Sequence, residues 1–388
     1  MSRSAPILFG EPQFDESEVD AVTRVMRSGW IGQGPLVDEF ERRLAEYVGN
    51  EHVVSVSSCT AALSLSLVAC GVGPGDEVIT TPFTFIATIN AIEHVGATPV
   101  LVDIDPVSLN ITASAVAGRI TERTRAIMPV HFAGWPIETD ALVELCERHD
   151  LWLIEDAAHA LGGVSGARRV GGHPSPRVAT CFSFYPNKNV ASAEGGAVAT
   201  SNAEIAERLA RLRIHGLDSD AWKRFRDLRS VASLAVVPGY KANWTDLQAA
   251  IALCQLEKIE GFLAVREQIA DEFDAAFAEV DGVAVRPRPT MSLTERHALH
   301  LYQVEILGPE GRRDEVLAET RSRGIGTAIH YIGVNQHPYY LDRLTDAVPI
   351  SDQASWRLLT LPSHPGLSAS DVERVVDVVS SSAAPAAR

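Results

Sequence analysis

The chain has 388 residues, of which 46% are hydrophobic, and a formal net charge of −16. This length suits about two domains, or one large α/β domain with an appendage, with ample apolar material for a core. The acidic excess repels phosphate over most of the surface, which excludes a non-specific binder of nucleic acid or acidic membranes. No apolar run approaches the roughly 18 residues of a membrane span, and the first residues lack the apolar core of a leader, so we expect a cytoplasmic protein. Five cysteines without paired spacing predict no metal site and no disulfide framework.

Strand-like and helix-like segments alternate strictly through the first half of the chain. The apolar spacing predicts helices at Glu16–Arg27, Leu36–Val48, Ser57–Cys70, Phe83–Gly96, Ala113–Ile120 and Ile137–His149. Short apolar runs predict strands at His52–Val56, Val78–Thr81, Pro99–Asp105, Arg125–His131 and Leu151–Asp156. This alternation predicts an α/β fold with a mostly parallel sheet and helices on both faces, and it places sites at the carboxyl ends of the strands.

The second half of the chain reads differently, with fewer strands and one long helix. After a strand at Ala197–Thr200 and a helix at Ala203–Arg213, a helix is predicted from about Gln248 to Phe273. Further predictions are strands at His300–Ile306 and Thr327–Tyr331 and helices at Arg313–Arg323 and Ser370–Val379. We therefore expect a large domain at 1–255, a smaller C-terminal α+β domain at 256–380 and a disordered Ser/Ala/Pro tail at 381–388.

One lysine, Lys188, lies in an aromatic and glycine-rich stretch, Thr180–Gly196, between two strand-like runs. Lysine is rare here, because arginine supplies nearly all of the 34 basic residues. Only a primary amine forms a Schiff base with an aldehyde or ketone, and pyridoxal phosphate enzymes hold their cofactor in this way. The alternative is a solvated surface charge, which is the usual fate of a lysine.

Pyridoxal phosphate also needs a carboxylate for its ring nitrogen, an aromatic ring against its face and donors for its phosphate. Asp156 ends a predicted strand, as a site acid or equally as a helix cap, and His159 follows it as a cofactor contact or a packed core histidine. Phe85 is the predicted stacking ring. The predicted phosphate contacts are a helix start, for which a simple Ser/Thr cap is the alternative, and a serine near the lysine: Cys59, Thr60, Ala61 and Ser183.

Two further features remain open at the level of sequence. Trp30, in a loop with several glycines, is either a lid residue or a surface aromatic that fills a crevice. The only basic cluster is either a solvated face or a site for a diphosphate, and its members are Arg211, Arg213, Lys223, Arg224, Arg226 and Arg229.

From about Phe9 to Val379 the chain resembles the sugar aminotransferases named after DegT and StrS, which are pyridoxal phosphate enzymes of fold type I. The marks of this resemblance occur in order along the chain: Ser28–Ile31, Ser58–Leu63, Gly73–Ile79, Thr84–Phe85, Glu155–Ala160, Phe182–Lys188, Glu194–Gly196, Leu247–Ala250 and His330–Tyr331. The resemblance implies a homodimer with shared sites, in which Asn243 reaches the cofactor phosphate of the neighbouring chain. From its place just before the long predicted helix, the alternative for Asn243 is a simple helix cap. The resemblance gives catalytic roles to Lys188, Asp156 and His159. The candidate substrate contacts are Trp30, Tyr185, Lys241, His330 and Tyr331.

Two positions refine what the resemblance implies. Many members carry glutamine where this chain has His159, and histidine there resembles the subgroup that acts at C4 of nucleotide-linked 4-keto-6-deoxy sugars; Gly239–Asn243 points the same way. Some relatives replace the lysine and become dehydratases, whereas Lys188 is retained here.

We therefore expect an aminotransferase that takes its amino group from glutamate and delivers it to a keto sugar. The alternatives are the same transamination on a keto-cyclitol or another small carbonyl compound, and a cofactor-binding regulator without turnover. Retention of Lys188, Asp156 and Ser183 together argues against the regulator.

Overall fold

The computed structural model describes residues 5–218, 233–289, 292 and 294–384. The helices are α1 Glu16–Ser28, α2 Pro35–Val48, α3 Cys59–Ala69, α4 Ala87–His94, α5 Ala113–Ala117, α6 Thr139–His149, α7 Ala203–Leu212, α8 Asp246–Phe277, α9 Arg312–Ser322, α10 Pro349–Arg357 and α11 Ala369–Ala383. The strands are β1 His52–Val56, β2 Glu77–Thr80, β3 Thr98–Leu101, β4 Thr124–Met128, β5 Trp152–Asp156, β6 Val164–Ser165, β7 Arg168–Arg169, β8 Val178–Ser183, β9 Gly196–Thr200, β10 Val283–Val285, β11 Tyr302–Ile306 and β12 Leu358–Leu361. Within the described ranges no helix is both long and apolar enough to cross a membrane.

The main sheet has seven strands in the order β1-β9-β8-β5-β4-β2-β3. Neighbours from β3 through β8 pair in parallel, which confirms the predicted fold class. The exception is β9, which is antiparallel to both β8 and β1. A smaller antiparallel sheet, β10-β11-β12, follows in the C-terminal part of the chain.

Helices cover both faces of the main sheet because its strands are apolar on both sides. In β1, Val54 packs in one core cluster with Leu67 of α3, whereas the preceding Val53 packs in another with Phe40 of α2. Alternate residues of a strand point to opposite faces, so a strand buried on both sides reads as one continuous apolar run. This burial fixes the register of the strands whose ends form the site.

The structure corrects several predicted elements. Thr327–Tyr331 is not a strand, because in this segment only Ala328 forms an isolated bridge, with Thr360. Phe83–Phe85 lies before helix α4, which begins at Ala87, and the strands predicted to reach Asp105 and His131 end at Leu101 and Met128. Strands β6, β7, β10 and β12 and helix α10 were not predicted.

The predicted domain division stays a prediction, because helix α8 runs across residue 255 without a break. Helix α11 continues to Ala383, within the segment assigned to the tail, and residues 385–388 lie outside the described part of the chain. Four members of the predicted basic cluster also lie outside the described part of the chain: Lys223, Arg224, Arg226 and Arg229. Its other two members already have partners, since Arg213 contacts Glu41 and the Ser55 carbonyl, and Arg211 pairs with Glu207.

Candidate active site

A cavity of about 570 Å³ opens where β5 and β8 end and helix α3 begins. Ten of the fourteen residues singled out in the sequence line it: Cys59, Thr60, Phe85, Asp156, His159, Ser183, Tyr185, Lys188, His330 and Tyr331. The cavity lies at the carboxyl ends of parallel strands, as expected for this class of sheet. Phe85 is 59% exposed and Tyr185 is 49% exposed, so the wall they form is open to solvent.

Lys188 lies in the connection between β8 and β9, which are antiparallel neighbours. Its backbone N–H donates to the Tyr185 carbonyl at 2.9 Å, and its Nζ lies 3.3 Å from Nε2 of His300. Burial lowers the pKa of Lys188 to about 8, against a partial opposing effect of Asp156. An amine with this pKa loses its proton near neutral pH far more readily than a surface lysine, as a nucleophile or base must.

Asp156 ends β5 and presents its carboxylate to the cavity. The Thr88 hydroxyl donates to Oδ2 at 2.8 Å and the Ala158 N–H donates to Oδ1 at 3.1 Å. Burial raises the pKa of this carboxyl above its usual value, and the two hydrogen bonds only partly oppose that rise. A buried carboxylate is stabilised by a neighbouring cation, so the site favours a ligand that brings a positive charge to this wall.

His159 and Tyr331 form a second polar wall. His159 Nε2 and the Tyr331 hydroxyl are 3.1 Å apart, and the two rings are nearly parallel at an angle of 13°. Burial lowers the pKa of His159 well below its ordinary value, so the ring is neutral at pH 7. Its Nδ1 is buried and has no hydrogen-bond partner among the described residues. Both the ligand and the core interpretations of His159 thus find support, because the ring is buried and also lines the cavity.

The start of helix α3 is capped, as the alternative for this segment predicts, and it also lines the cavity. Ser58 caps the helix, and its hydroxyl accepts the N–H of Ala61 at 3.1 Å. The Ala61 N–H is therefore already satisfied, whereas Cys59 and Thr60 line the cavity. The first N–H groups of a helix favour an anion such as phosphate.

Gly196, the first residue of β9, allows the strand to pass directly beside this helix start. A Cβ there would lie 2.5 Å from the Ser58 carbonyl carbon and 2.6 Å from the Cys59 nitrogen, both of which are backbone atoms. We expect Gly196→Ala to lower the free energy of unfolding by about 1–3 kcal/mol, because backbone has to move to admit the methyl group. Urea unfolding measures this loss. Gly261→Ala on helix α8, where no atom lies within 4 Å, is the matched control and should not destabilise.

Four predicted residues do not line this cavity. Trp30 lines a separate groove between α1, α2 and α8 and donates from Nε1 to the Gln33 carbonyl at 2.9 Å. Asn243 donates from Nδ2 to the Trp244 carbonyl at 3.2 Å and is not a helix cap, because Thr245 caps α8. The other two are Ala61 and the exposed Lys241.

Other lining residues were not singled out in the sequence. They include Thr84, Asn187, Glu194, Gly195, His300 and His337. Thr84, Asn187, Glu194 and Gly195 lie within the motifs that carry the family resemblance, so the sequence already marks their segments. His300 and His337 lie far along the chain, and no local pattern marks them.

The residues present fit pyridoxal phosphate. An amine with a lowered pKa, a buried carboxylate and a helix start line one cavity of sufficient size. Lys188 would hold the aldehyde carbon, Asp156 the ring nitrogen, and the start of α3 with Ser183 the phosphate. Within the described residues no group of three or more His, Cys, Asp or Glu side chains is arranged to hold a metal ion.

Comparison with known proteins agrees with this arrangement. SpsC of Bacillus subtilis, a spore coat polysaccharide biosynthesis protein, is 40% identical over 95% of each chain. The structure of DesV from S. venezuelae, in complex with a ketimine intermediate, has a TM-score of 0.86 at 33% identity, with 96% of this chain and 95% of that chain covered. Spr1654 of Streptococcus pneumoniae, in its PMP form, has a TM-score of 0.89 at 31% identity, with 97% and 99% covered; its PLP form also matches. The family model described as the DegT/DnrJ/EryC1/StrS aminotransferase family matches residues 12–380. The chain belongs to this family and is an aminotransferase whose cofactor is pyridoxal phosphate.

Proposed function

We propose that the protein transfers the amino group of glutamate to the keto group of a nucleotide-linked 4-keto-6-deoxy sugar. The observation that carries this proposal is the cavity that holds the Lys188 amine and the Asp156 carboxylate together. Its volume of about 570 Å³ leaves room for the keto sugar ring of the substrate beside the cofactor. The names of SpsC and of PseC, an aminotransferase of Helicobacter pylori involved in the biosynthesis of pseudoaminic acid, support a carbohydrate substrate.

Three residues of the cavity, Asp156, Lys188 and His159, have distinct parts in this reaction. When bound, pyridoxal phosphate supplies an aldehyde carbon and a ring that withdraws electrons from the substrate carbon. Asp156 holds the proton on the ring nitrogen through a charge-assisted hydrogen bond. Lys188 binds the cofactor and, once released from it, carries a proton between substrate and product. Neutral His159 packs against the site without adding a charge that would repel the protonated ring nitrogen.

The proposed substrates are anionic, yet the cavity wall of one chain offers them little positive charge. Among the described residues that line it, Lys188 is the only lysine or arginine. Burial keeps His159, His300 and His330 neutral at pH 7 by lowering the pKa of each. A diphosphate or a carboxylate needs a cationic partner when it leaves water. This deficit supports a homodimer in which the neighbouring chain completes the site.

Product analysis tests the proposed substrate directly. The protein is incubated with glutamate and a panel of nucleotide-linked 3-keto and 4-keto hexoses, and amino-sugar products are identified by mass. We expect a product from a 4-keto-6-deoxy sugar and none from the Lys188→Ala variant. A product from a keto-cyclitol alone would replace the proposed substrate by the alternative. Spectral conversion of the bound cofactor by glutamate, with no product from any acceptor, would limit the claim to the donor half of the reaction.

Asn243 tests the proposed sharing of sites between two chains. We expect Asn243→Asp to weaken cofactor binding about tenfold or more, because a carboxylate would face the phosphate dianion of the neighbouring chain. Asn202→Asp is the matched control, because Asn202 does not line the cavity and aspartate caps helix α7 equally well; the change removes only the Nδ2 hydrogen bond to the Pro176 carbonyl. Equilibrium dialysis with the cofactor measures both.

Mixed dimers give the sharper result. In a dimer of one Asn243→Asp chain and one Lys188→Ala chain, a shared arrangement leaves one site with both changes and one with neither. Activity should therefore return on mixing the two parents at a cofactor concentration at which neither parent is active alone. No recovery after demonstrated exchange of subunits would mean that each chain builds its own site.

A further inference from the structure

His300 contacts the amine of Lys188 and takes no part in the reaction steps described above. Its Nε2 lies 3.3 Å from the lysine Nζ. The two residues belong to distant parts of the chain, because Lys188 lies in the β8–β9 connection and His300 lies just before β11. The C-terminal part of the chain thus places a side chain against the amine that binds the cofactor.

Within the described part of the chain, the ring of His300 forms its hydrogen bond with Lys188. The ring is buried, and its other nitrogen, Nδ1, has no partner there. The nearest ring, that of His159, has its centroid 4.6 Å away. The hydrogen bond made at one ring nitrogen decides which nitrogen carries the proton. An N–H donated by Lys188 therefore selects the His300 tautomer in which Nε2 accepts and Nδ1 carries the proton.

The charges around this pair keep His300 neutral. Burial lowers its pKa well below the ordinary value, and the nearby cations Lys188 and Arg266 lower it further. The ionisable groups that act on the lysine or the histidine come from helix α3, the end of β5 and the residues just after it, helix α8 and the segment between α9 and α10: Cys59, Asp156, His159, Arg266 and His330. A carboxylate in place of His300 would hold the lysine as its ammonium form, whereas a neutral imidazole accepts a hydrogen bond without adding negative charge.

We propose that His300 is a positioning residue for Lys188: its Nε2 accepts one N–H of the amine and turns the amine's lone pair toward the cavity after the ammonium proton has left. A neutral amine has two N–H groups and one lone pair in a tetrahedral arrangement. Fixing one N–H on His300 limits the directions in which the lone pair can point. The same hydrogen bond stabilises the ammonium form while the lysine is charged.

The test compares two variants of similar shape in the cofactor-free protein. His300→Gln keeps an oxygen that accepts a hydrogen bond, whereas His300→Met has similar length and no comparable acceptor. The pH dependence of acetylation of Lys188 by acetic anhydride, followed by peptide mass spectrometry, reports the midpoint of lysine ionisation. We expect His300→Met to lower that midpoint by at least about 0.5 pH units, because the ammonium form loses its acceptor, and His300→Gln to restore it.

His297→Met is the control for loss of a nearby buried histidine. Its Nδ1 accepts the Leu299 N–H, and its centroid lies 6.0 Å from that of Trp135. We expect it to leave the labelling midpoint of Lys188 unchanged. If His300→Met fails to fold by circular dichroism, His300→Leu replaces it in the comparison with His300→Gln.

Turnover of the cofactor-loaded enzyme gives a second readout. We expect about a tenfold loss of kcat in His300→Met and partial recovery in His300→Gln, in the same order as the labelling midpoints. A midpoint unchanged in His300→Met, or shifted equally by His297→Met, would overturn the proposal and leave His300 as a packing residue. The proposal would also be overturned if His300→Gln restored the folding stability lost in His300→Met but did not restore the labelling midpoint of Lys188.

Discussion

The Lys188→Arg variant should bind pyridoxal phosphate without a covalent bond and lose at least about 10³-fold in turnover. Arginine keeps the charge and most of the length, but its guanidinium stays protonated and does not act as a nucleophile. Borohydride reduction followed by peptide mapping checks the covalent bond. In the unchanged protein the pyridoxyl mass should appear on Lys188, and in the variant it should appear on no residue.

Lys258→Arg is the matched control for this substitution. Lys258 pairs with Glu18 and Asp15, and it does not line the cavity. Its replacement by arginine should leave labelling and turnover unchanged. Label on Lys241 in the unchanged protein, or retained turnover in Lys188→Arg, would contradict the assignment of Lys188.

A second large effect is expected at Asp156. Asp156→Asn keeps the shape of the side chain and an oxygen that accepts the Thr88 or Ala158 donor, but it removes the charge that faces the ring nitrogen. We expect turnover to fall at least about 100-fold, as when one preorganised electrostatic group is removed from an active site. Steady-state kinetics at saturating cofactor measure this loss.

Glu155→Gln separates loss of the site charge from loss of any buried carboxylate. Glu155 precedes Asp156 on β5, and its oxygens accept from the hydroxyls of Thr139 and Thr180 rather than from groups in the cavity. Its replacement by glutamine should lower the thermal stability of the protein and change turnover far less than Asp156→Asn does. If Asp156→Asn behaves like Glu155→Gln, Asp156 is a structural residue at a strand end and the ring nitrogen has another partner.

Much of this fold was predictable because it follows from local patterns. Buried strands such as Leu151–Asp156 are continuous apolar runs, and helices such as Glu16–Arg27 carry both an apolar stripe and a glycine stop. Strand direction is not local in this sense. Nothing in residues 196–200 shows that β9 runs against its neighbours, since that depends on which strands it pairs with.

The residues of the candidate site also differ in whether a local sequence pattern identifies them. Asp156 and Lys188 stand out because strand ends and an unusual lysine are visible in the sequence itself. His300 does not stand out, because it comes from a different part of the chain and its relevance depends on the 3.3 Å distance to Lys188. For Asn243 the local pattern suggests a role that the structure does not show. Its place before a long helix suggests a cap, but the cap is Thr245, two residues later.

The reversed direction of β9 has a consequence for changes in chain length. A parallel neighbour of β8 would need a crossover to the opposite end of the sheet, usually through a helix of its own. Here residues 184–195 return directly into a neighbouring strand, so both ends of the lysine connection are held by the hydrogen-bond ladder next to β5. Within it the Phe184 N–H donates to the Gly195 carbonyl and the Ser192 N–H donates to the Phe184 carbonyl, so insertion or deletion of a residue between these contacts shifts the amine relative to Asp156. Evolution and engineering can therefore vary the composition of the connection far more freely than its length.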